Sequence, residues 1–97
     1  MTVFAVEYVY DAESGALRDE VRPAHRAWLG ELAGEGRLLA SGPYGDGAGA
    51  LLIFKSEDEA ELTNLLKQDP FADAGAISVI RTTEWSPVIG LLSDHAS

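Results

Sequence analysis

The chain has no cysteine. Disulfides, thiol nucleophiles and cysteine-ligated metal sites are therefore excluded, and the composition suits a reducing, cytoplasmic setting. Basic residues are scarce: seven Lys and Arg stand against sixteen Asp and Glu, a formal net charge of −9. A surface of that sign repels phosphate backbones and anionic lipids, so neither nucleic acid nor membrane is an expected partner. Histidine is scarcer still, with two copies. His95 lies in a patternless tail, and the remaining histidine with one separated aspartate does not make a ligand set, so no metal is expected. No run approaches the roughly 18 apolar residues of a membrane span. The opening Met1-Thr2-Val3-Phe4 lacks the basic segment of a signal peptide. No dinucleotide fingerprint is present, and the glycines of 44–49 lack the Lys-Ser/Thr sequel of a phosphate loop, so no cofactor is expected either.

What is present suits one small domain. Ninety-seven residues, 46% of them hydrophobic and 24% charged, have the composition of a globular chain. No interior stretch reads as a linker, and the pattern runs over 1–88 with a tail at 89–97. A domain of this size buries only about 60–65% of its unfolded surface. A sheet face left bare by helices would therefore want a partner, most simply a second copy.

Residues 2–10 are rich in β-branched and aromatic side chains on both faces, with Glu7 the exception, and predict a central strand. Pro23 suits the first position of a helix, because a proline lacks the N–H that would go unpaired there. From there Trp28, Leu29 and Leu32 recur at helical spacing, and Gly36 is a natural stop. Residues 17–22 would then be at most a preceding helical turn, kinked at the proline. Strands follow at 37–41 and 50–55, joined by a glycine-rich connection. Ser56-Glu57-Asp58-Glu59 reads as a capping box with Ser56 as the cap, opening a second helix that stops before Pro70. Residues 71–75 read as a loop and 77–85 as the last strand. The order β-α-β-β-α-β, with right-handed crossovers, predicts an α+β ferredoxin-like domain: a four-stranded antiparallel sheet with two helices on one face. Two copies packed sheet to sheet would form a dimeric α/β barrel, so a homodimer is expected.

The chemistry centres on His25. Two residues after Pro23, it would occupy the first helical turn, and it shares the apolar stripe with Trp28, Leu29 and Leu32. Partial desolvation and the positive end of the helix dipole would both keep its ring neutral and ready to accept a proton. A core or interface histidine bonded to a carbonyl would leave the same pattern. Asp69, before Pro70, reads as turn punctuation or as a group that orients an imidazole or handles a second proton. Ser41 and Gly42 end a strand beside the glycine-rich loop, where a hydroxyl donor and a bare backbone would meet a ligand. No G-x-S-x-G context makes Ser41 a nucleophile. Arg18, Arg22 and Arg26 recur every four residues, and Arg22 and Arg26 are candidate contacts for an anionic ligand or members of a solvated, ion-paired face. Glu7 is a cavity carboxylate or an ion-pair partner, and Tyr8 and Trp85 are pocket walls or, as strand aromatics more often are, core residues.

Several of these segments occur together in one order. Arg22-Pro23-Ala24-His25-Arg26, then Gly36-Arg37-Leu38-Leu39-Ala40-Ser41-Gly42-Pro43, then Asp69-Pro70-Phe71-Ala72-Asp73-Ala74-Gly75, then Trp85-Ser86-Pro87 resemble the YciI-like (YCII-related) family over about residues 1–88. The resemblance implies a ferredoxin-like subunit of a dimeric α/β barrel, with His25 facing Asp69 near the Ser41-Gly42 strand end. It also implies acid-base chemistry, since a characterised relative removes chloride from a chlorinated hydroxyquinol by proton transfer. Two functions are thus expected to compete. One is a cofactor-free lyase or isomerase, such as a dehydrohalogenase, in which His25 and Asp69 move protons on a small phenolic or enolisable molecule. The other is a non-catalytic small-molecule-binding or accessory dimeric module. Cofactor-free monooxygenases and lactone isomerases of barrel fold fit these motifs less well. His25 and Asp69 side chains beyond about 4 Å apart with no shared pocket would favour the non-catalytic module.

Overall fold

In a computed structural model describing residues 1–96, the chain opens with β1 (Thr2–Tyr10) and α1 (Gly15–Gly34). β2 (Leu38–Pro43), β3 (Gly49–Ser56), α2 (Glu59–Leu66), α3 (Pro70–Asp73) and β4 (Ile77–Glu84) follow, with a 3-10 turn at Ser93–His95. The strands form one antiparallel sheet in the order β2-β3-β1-β4, the ferredoxin-like arrangement. No described helix is long and apolar enough to cross a membrane.

The alternation of β1 divides its side chains between two faces. Phe4, Val6 and Tyr8 are buried on one, together with Leu52 and Phe54 of β3, under Leu32 of α1 and Leu62, Leu65 and Leu66 of α2. Both main helices therefore cover the same face. Trp28 and Leu29 pack at the edge of this core, and each fully buried Leu or Phe contributes about 1.5–3 kcal/mol. On the opposite face Val3 and Ile53 are buried, whereas Leu51 and Val79 remain exposed. At Gly49 of β3 a Cβ would sit 2.1 Å from the Tyr8 carbonyl oxygen of β1, so this position demands glycine.

Four local expectations are corrected. α1 starts at Gly15, and Pro23 lies inside it rather than at its start. The proline forfeits one i→i−4 bond, and its ring is exposed, so the long apolar stripe keeps the helix continuous through it. The cap of α2 is Asp58, whose side chain accepts from the Glu61 amide at 2.8 Å. Ser56 is still paired in β3, and its hydroxyl instead donates to the Asp58 carbonyl at 3.0 Å. Within the expected loop at 71–75, residues through Asp73 belong to α3, with Pro70 at its start. His95, expected in a patternless tail, lies in the 3-10 turn.

Candidate functional site

Three elements converge on one buried carboxylate. Asp69 follows α2, where Pro70 holds it in extended backbone (φ −61°, ψ 123°) and turns its side chain back over the start of α3. Oδ1 accepts the Phe71 amide at 2.9 Å and faces His25 Nδ1 of α1 at 2.7 Å. Oδ2 accepts the Tyr8 hydroxyl of β1 at 2.7 Å. Asp69 has no exposed surface, and His25 is 8% exposed. The imidazole also stacks on Phe71, with ring centroids 3.8 Å apart and planes 6° from parallel.

This arrangement assigns protons. A carboxylate only accepts, so the hydrogen in the His25–Asp69 bond belongs to Nδ1. The neutral ring then carries its lone pair on Nε2, the nitrogen left to meet a ligand. Burial, reinforced by the Asp69 charge and the hydrogen bond to it, pushes the Tyr8 hydroxyl far above the ordinary tyrosine range and keeps it a neutral donor. Tyr10, whose ring meets Phe71 edge-on at 5.9 Å, is also pushed up by burial, with Arg18 acting against the shift.

His25 borders a cleft of about 610 Å³ between α1 and the β2–β3 hairpin. Arg22, Arg26, Ser41 and Gly42 line the same cleft, as do Arg18, Tyr10 and Phe71. Asp69 stands behind His25 rather than in the lining. The 2.7 Å separation of His25 and Asp69 is well inside the limit beyond which a non-catalytic module would be favoured. Among the described residues, no three carboxylate or imidazole side chains gather into a group that could hold a metal ion.

Other expectations need correction. His25 sits in the middle of α1, where the charge of the helix end has faded, so the dipole argument for a neutral ring does not apply. Asp69 and Phe71 supply its environment instead. Of the two readings of Tyr8 the core one holds, because it lies beneath the site with its hydroxyl on Asp69. Trp85 does not line the cleft and is 43% exposed. Of the two readings of Glu7 the ion pair holds: it lies on the outer sheet face, bonded to Arg81 at 2.8 Å and to the Tyr44 hydroxyl at 2.7 Å. The Tyr44 hydrogen bond, then Arg81, holds its carboxyl below the usual range. Sequence reasoning missed the Tyr8 hydroxyl and the Phe71 stack; the period of β1 marks Tyr8 as helix-facing but carries no signal for its partner.

Comparison with known proteins places these features among relatives. The model of the YCII-related domain matches residues 3–86. The solved 5-chloro-2-hydroxyhydroquinone dehydrochlorinase of Burkholderia phenoliruptrix AC1100, in complex with 2,5-dihydroxybenzoquinone, is similar with a TM-score of 0.76 and 25% identity. That match covers 87% of this chain and 93% of the dehydrochlorinase. An antibiotic biosynthesis monooxygenase has a TM-score of 0.59 at 15% identity, covering 92% of this chain and 100% of the other. Protein Atu4242 of Agrobacterium tumefaciens has a TM-score of 0.56 at 13% identity, covering 90% and 93% respectively. These last two show the shared fold alone. No curated protein matches the chain.

Proposed function

The chain belongs to the YCII-related domain family, and on that premise we propose that it is a cofactor-free proton-transfer enzyme acting on a small phenolic or enolisable molecule. The observation that carries the reading is the buried His25–Asp69 contact at 2.7 Å on the wall of a ligand-sized cleft. His25 Nε2 takes a proton from the substrate and returns it to the product or to a leaving group. Asp69 fixes the tautomer and offsets the charge of the imidazolium, while Tyr8 and the Phe71 amide hold Asp69 in place. Ser41 and Gly42 meet the ligand from the strand end opposite, and Arg22 and Arg26 from α1. The similar dehydrochlorinase, solved with a dihydroxyquinone, supports a lyase-like proton transfer on a molecule of this class.

The working unit in this proposal is a homodimer in the cytoplasm. Leu51 and Val79 on the outer sheet face, with Val88, Ile89 and Leu91 beyond β4, give a second copy apolar surface to cover. Light scattering on the eluting protein should give twice the chain mass, and an Ile89→Asp, Leu91→Asp variant should shift toward the monomer.

The catalytic reading is tested by deuterium incorporation from heavy water into phenolic and 1,3-dicarbonyl probes, with chloride release from 5-chloro-2-hydroxyhydroquinone measured in parallel. Wild-type protein should accelerate at least one reaction above buffer, and His25→Gln should lose about 10²–10⁴-fold of that rate. A folded His25→Gln protein with the wild-type rate, or no acceleration with any probe, overturns it.

A further inference from the structure

The charge of the cleft is opposite to that of the chain. Three of the seven basic residues, Arg18, Arg22 and Arg26, line it, whereas none of the sixteen acidic residues does. Spaced four apart on α1, the three arginines form one row about 12 Å long. Two are already oriented. Arg18 donates from Nε to Ser14 Oγ at 2.9 Å, and its guanidinium lies 4.2 Å over the Tyr10 ring, with no bond from its terminal nitrogens among the described residues. Arg22 is bonded through one nitrogen to Asp19 at 2.6 Å. Arg26 makes no ion pair among the described residues. In a protein of net charge −9, three cations gathered around one cleft, two of them with no carboxylate partner among the described residues, run against the overall field. Such a row binds oxyanions, because the guanidinium fork presents paired donors to carboxylate or phosphate oxygens.

We infer that the cleft's ligand is a small organic anion, its carboxylate or phosphate held by Arg18 and Arg26 and its reacting carbon turned toward His25. The inference rests on the proton-transfer reading of His25 and supplies the substrate class that this reading lacks. His25 lies between Arg22 and Arg26 along the row, so an anchored acidic group presents the neighbouring carbon to Nε2. When the C–H bond breaks, the proton goes to Nε2 and the electron pair moves onto the conjugated oxygen, as an enolate or phenolate. The same guanidinium groups face that developing charge, which is where fixed cations stabilise a transition state most.

The test is a calorimetric binding comparison of 2,5-dihydroxybenzoate with its neutral analogue 2,5-dihydroxybenzamide, at low and high salt. Phenyl phosphate replaces the benzoate in a third arm, to rank phosphate against carboxylate. The anion should bind about tenfold or more tightly than the amide. That preference should shrink with added salt, and Arg18→Gln and Arg26→Gln should each reduce it severalfold, weakening the anion more than the amide. Arg26 holds no structural contact of this kind, so Arg26→Gln keeps the test valid if Arg18→Gln fails to fold. Equal affinity for acid and amide, or a preference untouched by Arg26→Gln, overturns the inference. The two proposals fail separately: His25→Gln should keep the anion preference, so lost preference with His25-dependent exchange sinks only the ligand class. A retained preference with His25-independent exchange sinks only the catalytic reading.

Discussion

Replacing Asp69 by alanine removes the acceptor on which three buried donors converge. The Tyr8 hydroxyl, the Phe71 amide and His25 Nδ1 would all lose their partner at once. A hydrogen bond to a charged group contributes about 1.5–3 kcal/mol, and a buried donor left unpaired costs a similar amount. Water entering from the cleft relieves part of the loss at His25, so about 4–6 kcal/mol is expected for Asp69→Ala. That is a large share of the 5–15 kcal/mol available to a domain of this kind. Asp69→Asn is the control. It retains an oxygen for the Phe71 amide and His25, while its new amide donor meets the Tyr8 oxygen and obliges that hydroxyl to turn away. The asparagine should therefore cost about 1–3 kcal/mol. Urea unfolding followed by far-UV circular dichroism gives both numbers. The fluorescence of Trp28, whose ring lies 6.4 Å from Phe54 in the core, provides a second probe. The midpoint should fall in the order wild type, Asp69→Asn, Asp69→Ala, with an unchanged slope. An alanine variant within 1 kcal/mol of wild type, or an asparagine as costly as the alanine, would refute the view that Asp69 ties the strand, the helix and the short helix together.

Three further outcomes are expected. Because the Tyr8 hydroxyl is shifted upward in the folded protein, its contribution is complete below pH 10 and declines as the unfolded tyrosine ionises above it. Wild type should lose stability from this group above pH 10, the slope approaching about 1.4 kcal/mol per pH unit beyond pH 11, and parallel stability curves for wild type and Tyr8→Phe would contradict the assignment. Gly49→Ala should destabilise by about 1–3 kcal/mol, since its Cβ would press on the Tyr8 carbonyl oxygen at 2.1 Å, and an unchanged melting temperature would show that β1 and β3 can part. Tyr44→Phe removes the largest influence lowering the Glu7 carboxyl, so a carbon-detected NMR titration should find Glu7 protonating at higher pH than in wild type. The stability that Glu7 adds at neutral pH should then fade earlier as the pH falls, and an unmoved titration would exclude the Tyr44 contact.

How much of this was legible in the sequence depends on the range of the interaction. The sheet and its covered face follow from period-2 alternation in β1, where Phe4, Val6 and Tyr8 share the buried side. The helix stripe of Trp28, Leu29 and Leu32 follows from local spacing in the same way. Element ends were less legible, because they depend on competition between neighbours. Asp58 and Ser56 are both capable caps, and the choice fell to Asp58 because Ser56 was already committed to pairing with Thr2 across the sheet. The Tyr8–Asp69 bond joins residues 61 apart, and no pattern within either segment announces it.

His25 makes the same point from the opposite side. The helix does not begin at Pro23, so the dipole reason for singling out this histidine fails. Its position on the stripe nevertheless survives, because a helix that starts earlier keeps the same phase: residues 25, 28, 29 and 32 share a face wherever the first turn lies. Phase places His25 at the edge of the core, and Pro70 turns Asp69 back toward it. Phase also places Arg18, Arg22 and Arg26 on the border of one cleft, and here the longer helix strengthens the reading. A helix beginning at Pro23 would have left Arg18 and Arg22 outside it. The continuous α1 extends the row by two turns, so the error about where the helix starts removed one argument for the base and supplied the charge expected to hold its substrate.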